Sequence, residues 1–125
     1  MLPAAYHLEL YRGDTFVRKF KLWADPGKTQ PVDLTDVAVK SEIRDKSAGV
    51  LIVPLTCDVV QPPTLGEIDV SLDMTLWPTV PAIGFWDLQL TNLNGVVWTA
   101  VAGKVNVTGD ITDSVAVGMG VKRRP

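Results

Sequence analysis

The chain has 125 residues, with 12 Lys and Arg against 14 Asp and Glu, so a single domain of nearly balanced charge is expected and two domains would be cramped. A domain of this length buries roughly two-thirds of the surface its unfolded chain exposes, and can hold a core without cross-links. A lone cysteine, Cys57, excludes an intramolecular disulfide and a Cys-rich zinc site, and a lone histidine, His7, excludes a His-pair metal centre and confines His-dependent catalysis to one side chain.

Residues 1–7 lack the charged start and long apolar run of a secretion signal, which leads us to expect a soluble protein made in the cytoplasm. The apolar runs at 50–55 and 96–102 contain Pro54 and Thr99 and fall well short of the ~20 residues a spanning helix needs, so no membrane partner is expected. All the acidic residues precede the closing Lys122-Arg123-Arg124, which leaves an acidic body that would repel nucleic acid.

Hydrophobicity alternates with period two along most of the chain, the pattern of half-buried strands. Tyr6, Leu8 and Leu10 share one face of a first strand of about six residues, with His7, Glu9 and Tyr11 opposite. Arg12-Gly13-Asp14 reads as a tight turn. Residues 15–23 then place Phe16, Phe20 and Leu22 against Val17, Lys19, Lys21 and Trp23, in a strand that either pairs with the first as a hairpin or faces it across a sandwich. Asp25-Pro26-Gly27 is the clearest turn, and the loop through Pro31 is expected to be exposed.

Val37, Val39, Ser41 and Ile43 alternate with Ala38, Lys40, Glu42 and Arg44, and residues 45–49 close that strand with a turn. Residues 50–60 are apolar but contain Pro54, which predicts two short pieces or an edge strand. Ile68, Val70 and Leu72 alternate regularly with Glu67, Asp69 and Ser71. Residues 73–77 suit one helical turn capped by Asp73 and stopped by Pro78. Residues 85–90 resume alternation with Trp86, Leu88 and Leu90 inward, and Asn94-Gly95 turns the chain into a last hairpin strand over 96–108, where Gly103 suggests a bulge or bend. About seven to nine short strands with a turn roughly every ten residues point to a β-sandwich or small barrel.

Few residues invite chemistry. Arg12-Gly13-Asp14 matches an integrin-binding tripeptide, but a β-turn accounts for it without a partner. Asn106-Val107-Thr108 fits the N-glycosylation pattern, yet sits in a strand of a chain expected to stay in the cytoplasm. Asp25, Asp33 and Asp36 could offer oxygens to calcium, although their spacing fits no dedicated loop and Asp is also a common turn residue. No Gly-x-Ser-x-Gly elbow or phosphate-cradling glycine loop is present, so no enzymatic activity and no cofactor are expected. His7 is read as solvent-facing and Cys57 as a small core hydrophobe.

Four tryptophans are generous for this length. Trp86 lies in phase with the core, whereas Trp77 beside Pro78 and Trp23 beside Lys19 and Lys21 are candidate exposed interface anchors, with subunit contact favoured over sugar stacking. Beyond residue 108 the pattern changes. Residues 109–125 are read as an arm rather than a loose tail, with Val115, Val117, Met119 and Val121 adding to a neighbouring subunit's sheet and Lys122, Arg123 and Arg124 meeting an acidic surface.

The succession Tyr11-Arg12-Gly13-Asp14-Thr15-Phe16, Val32-Asp33-Leu34-Thr35, Ile43-Arg44-Asp45, Gly84-Phe85-Trp86-Asp87-Leu88 and Gly103-Lys104-Val105-Asn106-Val107 resembles small β-sandwich virion proteins of tailed bacteriophages, especially those of actinobacteria. It is similar to the N-terminal sandwich of some baseplate upper proteins, and the ordered set covers residues 6–113. The resemblance implies an immunoglobulin-like sandwich acting in the virion as a minor tail, baseplate or capsid-decorating component; with the strand pattern this gives an all-β antiparallel sandwich over 1–108, and the extended C-terminal arm over 109–125 rests on the residues alone. Other virion proteins and further copies of the chain are then the expected partners, and a carbohydrate-binding host-adhesion module is the alternative.

Overall fold

A computed structural model describes residues 3–45 and 51–109. The C-terminal arm and the expected turn over 45–49 therefore lie wholly or mostly outside the described residues. Eight strands run in chain order: β1 (Ala4–Ala5), β2 (Leu8–Tyr11), β3 (Val17–Lys21), β4 (Ala38–Arg44), β5 (Ile52–Val59), β6 (Glu67–Ser71), β7 (Ile83–Thr91) and β8 (Val97–Thr108). Two short 3-10 segments, Pro63–Leu65 and Met74–Thr79, complete them. No helix among the described residues is long and apolar enough to cross a membrane.

The strands follow one curled path that β5 folds into two layers. In the front layer, β1 and β2 lie beside β8, followed by β7, β4 and the first half of β5; in the back layer, the second half of β5 is followed by β6 and β3. Pro54 still lies opposite Glu42 of β4, whereas Thr56 is already opposite Ser71 of β6. The expected break at Pro54 is thus an exchange of partners within one continuous strand. β5 is an edge of both layers, the position where a residue with no N–H to donate is tolerated.

The expected antiparallel arrangement needs one correction. β1 and β2 run parallel to β8, with Leu8 opposite Val105 and Leu10 opposite Val107, so the sheet is mixed. Parallel neighbours need a long connection, and here almost the whole domain lies between them. The first strand is also interrupted at Tyr6 and His7. β2 and β3 do not form a hairpin; they lie in opposite layers, the second of the two expected arrangements.

Inward-pointing residues of both layers form one core that includes Leu8, Phe16, Leu34, Ile43, Val53, Ile68, Val70, Trp86, Leu88 and Val105. Fully burying each large aliphatic side chain contributes about 1.5–3 kcal/mol. At one open end an aromatic chain joins the layers: Tyr6 meets the Phe20 ring edge-on at 5.1 Å, and Phe20 lies 5.3 Å from Trp86. Phe20 belongs to the back layer and Trp86 to the front.

The turns behave as their residues predict. Gly13 has φ +94° within a turn in which the Asp14 N–H donates to Tyr11 O at 3.1 Å. In the last hairpin only Gly95 takes positive φ, and the Asn92 side chain accepts from the Asn94 and Val96 N–H groups at 2.9 and 3.0 Å. Asp73 caps the 3-10 segment by accepting from the Thr75 N–H at 2.9 Å. Pro78 does not stop that segment, which continues through it to Thr79, and beyond it the Val80 N–H donates to Trp77 O at 3.1 Å.

Gly103 departs from expectation. The bulge in the last hairpin lies elsewhere: Leu88 is opposite Val101 and Gln89 opposite Thr99, which leaves Ala100 as the extra residue. Gly103 is regular strand opposite Trp86, and a Cβ there would sit 2.0 Å from Tyr6 O. Glycine is required for the close approach of the N-terminal segment.

Candidate functional site

Strand alternation turns Glu42 and Arg44 of β4, Phe85 and Asp87 of β7, and Ala102 and Lys104 of β8 to the outer side of the front layer. Register arranges them in two rows. Phe85 lies between Arg44 and Lys104, and Asp87 between Glu42 and Ala102. The small Ala102 and Gly103 leave a hollow beside the aromatic ring, and Pro3, Trp98 and Thr99 close its margins, giving an open groove of about 700 Å³. The bulge at Ala100 shifts the phase of β8 at this point, which lets both Thr99 and Ala102 face the same hollow.

The charges in the groove are unequally satisfied. Glu42 is well held: Arg44 Nη2 donates to its Oε1 at 2.8 Å and Lys40 Nζ lies 3.3 Å from its Oε2, which keeps the carboxyl below its ordinary range. Asp87 is half-buried, and its carboxylate accepts no hydrogen bond among the described residues. Burial pushes its carboxyl upward, only partly countered by the nearby Arg44 charge. Arg44 Nε is buried and has no hydrogen-bond partner among the described residues. Buried polar atoms without a partner are uncommon; among the described residues they are Arg44 Nε and Asp45 Oδ1, and the half-buried Asp87 carboxylate is not one of them.

A second feature lies at the tip of the hairpin between β7 and β8. Leu93 is 79% exposed, and Val96 and Val97 are 55% and 54% exposed. Farther along β7, Ile83 is 71% exposed.

Of the tryptophans singled out in the sequence, Trp77 is not an exposed anchor. It is 4% exposed within the core, and its indole Nε1 donates to Asp14 O at 2.9 Å, because the 3-10 segment folds under the turn after β2. Trp23 is half-buried, with Lys21 Nζ 5.0 Å from its ring centre and an isolated bridge to Pro31. Of the remaining interface candidates, Val115, Val117, Met119, Val121, Lys122, Arg123 and Arg124 all lie outside the described residues.

Arg12 is tied down. Its guanidinium donates to Trp77 O at 2.6 Å and to Val80 O at 3.0 Å, so the Arg12-Gly13-Asp14 turn presents no free arginine. Asp25 accepts from the Thr29 and Gln30 N–H groups, and Asp33 accepts from Thr35, so both carboxylates serve their own loops. Among the described residues no group of three or more His, Cys, Asp or Glu is placed to hold a metal. His7 is exposed and accepts from the Lys104 N–H at 2.9 Å. Cys57 sits in the opposite layer, where burial pushes its thiol up to about 11. Asn106 lies in β8 and donates to Glu9 Oε2 at 3.1 Å.

The sequence reading missed the groove because it depends on register. Phe85, Asp87, Glu42 and Arg44 were each visible as outward residues, and the Asn94-Gly95 turn set β8 beside β7, but nothing in the chain order says that β4 flanks β7 on its other side.

No protein-family model and no curated protein matches the chain. Among solved structures it is similar to the bradyzoite-specific antigen BSR4 of Toxoplasma gondii, with 14% identity and a TM-score of 0.40. The match covers 89% of this chain and 45% of the antigen chain.

Proposed function

We propose that this chain is a structural module of a tailed-phage virion, a minor tail or baseplate component or a capsid decoration, assembled in the host cytoplasm and acting by contact rather than catalysis. The observation that carries this reading is the exposed apolar hairpin tip of Leu93, Val96 and Val97. A β-hairpin presenting three exposed apolar side chains around its turn is suited to docking on another protein surface. The ordered motifs that resemble those of phage sandwich proteins supply the setting for this reading, in which copies of the chain and other virion proteins are the partners. Repetition in a symmetric particle multiplies weak contacts into firm retention, so no single interface needs to be large.

Replacing Leu93 by Asp removes an apolar contact of about 1.5–3 kcal/mol, or roughly 10- to 100-fold in affinity per contact. Immunogold labelling of purified tailed-phage particles with antibody against this chain is expected to decorate them, and the L93D variant is expected to fold but to be left out of particles. Labelling confined to soluble material, or full incorporation of L93D, would overturn the reading.

A further inference from the structure

We propose that the groove across β4, β7 and β8 is a binding subsite for a neutral saccharide, with the Phe85 ring as its platform and the Asp87 carboxylate and the partly exposed Arg44 guanidinium as its hydrogen-bonding pair. The inference does not rest on the hairpin tip and stands or falls separately from the assembly reading.

The chemistry selects the ligand class by what the groove offers. Glu42 and Asp87 balance Arg44 and Lys104, so the lining has no formal net charge to favour an anion or a cation. The two groups call for opposite partners: the half-buried Asp87 carboxylate accepts only, and the Arg44 guanidinium donates only. A hydroxyl both donates and accepts, and neighbouring hydroxyls on one sugar ring can serve both groups at once. Phe85 is 39% exposed beside them, an apolar face on which the C–H side of a sugar can rest. The volume, about 700 Å³, falls within the range of small-ligand sites.

The groove is poorly suited to an extended peptide. Peptides that bind sheets do so by adding a strand at an edge, where main-chain groups are free. Here β7 is flanked by β4 and β8 along its length, so its backbone is already paired on both sides and recognition must come from side chains. Burial of Asp87 adds to the case, because an under-solvated carboxylate gains most from a newly supplied hydroxyl donor.

The test is an amide-resolved NMR titration of the full chain with tri-N-acetylglucosamine, maltotriose and lactose, run beside tri-galacturonate and a synthetic peptide of residues 113–125. At least one neutral sugar is expected to shift the amides of residues 85–87 and 102–104 at concentrations up to about 10 mM, well past a millimolar dissociation constant. Phe85→Ala and Asp87→Asn alter outward groups, keep the spectrum of the folded chain, and are each expected to weaken binding about tenfold or more. The L93D variant is expected to bind as the parent does. The proposal is overturned if none of the three neutral sugars moves those amides, if binding survives both groove substitutions, or if only the galacturonate or the basic peptide binds.

Discussion

Replacing Gly103 by Ala tests how the N-terminal segment is fastened to the sandwich. The added Cβ would lie 2.0 Å from Tyr6 O and 2.6 Å from Tyr6 C, and both are backbone atoms that no rotamer change can move. Relief requires the segment between β1 and β2 to lift from β8. That movement breaks the bond from Trp86 Nε1 to Tyr6 O at 2.7 Å and the bond from the Tyr6 N–H to Ala102 O at 3.0 Å. Trp86 is 3% exposed, so its indole N–H would be left without a partner at a cost of about 1–3 kcal/mol, and the backbone bond adds about 1 kcal/mol. Together the loss is about 2–4 kcal/mol, which for a domain of this size lowers Tm by roughly 10 °C. Urea unfolding followed by tryptophan fluorescence measures it, with the slope expected to stay unchanged. In a Trp86→Phe background the donor is already gone, so the glycine substitution should cost at least about 1 kcal/mol less than in the parent. A Gly103→Ala variant within about 0.5 kcal/mol of the parent, or one strictly additive with Trp86→Phe, would refute the reasoning.

Arg12→Ala removes two charge-assisted bonds to the carbonyls of Trp77 and Val80 and is expected to cost about 2–3 kcal/mol in urea unfolding, with Arg12→Lys restoring only part because a single ammonium cannot reproduce the forked geometry. Cys57, with its thiol pushed from 9.0 to about 11, should react with iodoacetamide at pH 8 about 100-fold more slowly in the folded chain than in urea, and equal rates would contradict its burial. Glu42 and Asp87 should give opposite pH dependences in thermal melts. The Glu42 carboxyl is held below its ordinary value of 4.5, chiefly by the Arg44 hydrogen bond, so it stabilises the fold above that pH and loses the effect as pH falls through the lower folded value. Glu42→Gln therefore lowers Tm at neutral pH and converges with the parent in acid. The Asp87 carboxyl is raised above 3.8 by burial, so stability falls progressively as pH rises above 3.8 and the cost is in full once pH exceeds the raised value. Asp87→Asn should raise Tm at neutral pH and lose that advantage below about pH 3.8.

Local rules carried most of the fold. Period-two alternation identified the inward rows Leu8 and Leu10, Ser41 and Ile43, Ile68 and Val70, and Trp86, Leu88 and Leu90, because each strand has one face on the core and the other in water. Gly13, Gly95 and Asp73 were readable because a turn or cap is determined by the few residues within it. What stayed hidden depends on contacts distant in the chain. Pro54 reads locally as a break, yet β5 continues because it changes partners where the missing N–H does no harm. Gly103 reads locally as a bulge, and its true constraint comes from Tyr6, near the opposite end of the sequence. Trp77 beside Pro78 reads as an exposed connector, and it is buried because Arg12 and Asp14 lie across it. The groove belongs to the same class, since its members meet only through the order β4, β7, β8.

The division between the two faces of the front layer explains why a binding role is compatible with these residues. Beneath the groove the inward row is complete: Ile43, Trp86, Leu88 and Val101 are buried, and the single buried polar side chain among them, Ser41, donates its hydroxyl to Asp87 O at 2.6 Å. The backbone of Asp87 is thereby fixed from below, while its half-buried carboxylate above accepts from no protein donor among the described residues. An arrangement that anchors a strand through its main chain and leaves an accepting side chain without a donor serves stability poorly, because desolvating a carboxylate without a partner costs free energy. The turn at Arg12, the cap at Asp73 and the ladder of Lys19 and Lys21 with Glu67 and Asp69 all satisfy their charges internally. The half-buried Asp87 carboxylate has no protein donor among the described residues, and groups with perturbed environments gather where a protein meets something outside itself. Substitutions at Phe85 and Asp87 should therefore separate binding from folding, whereas substitutions at Arg12, Trp77 or Gly103 should not.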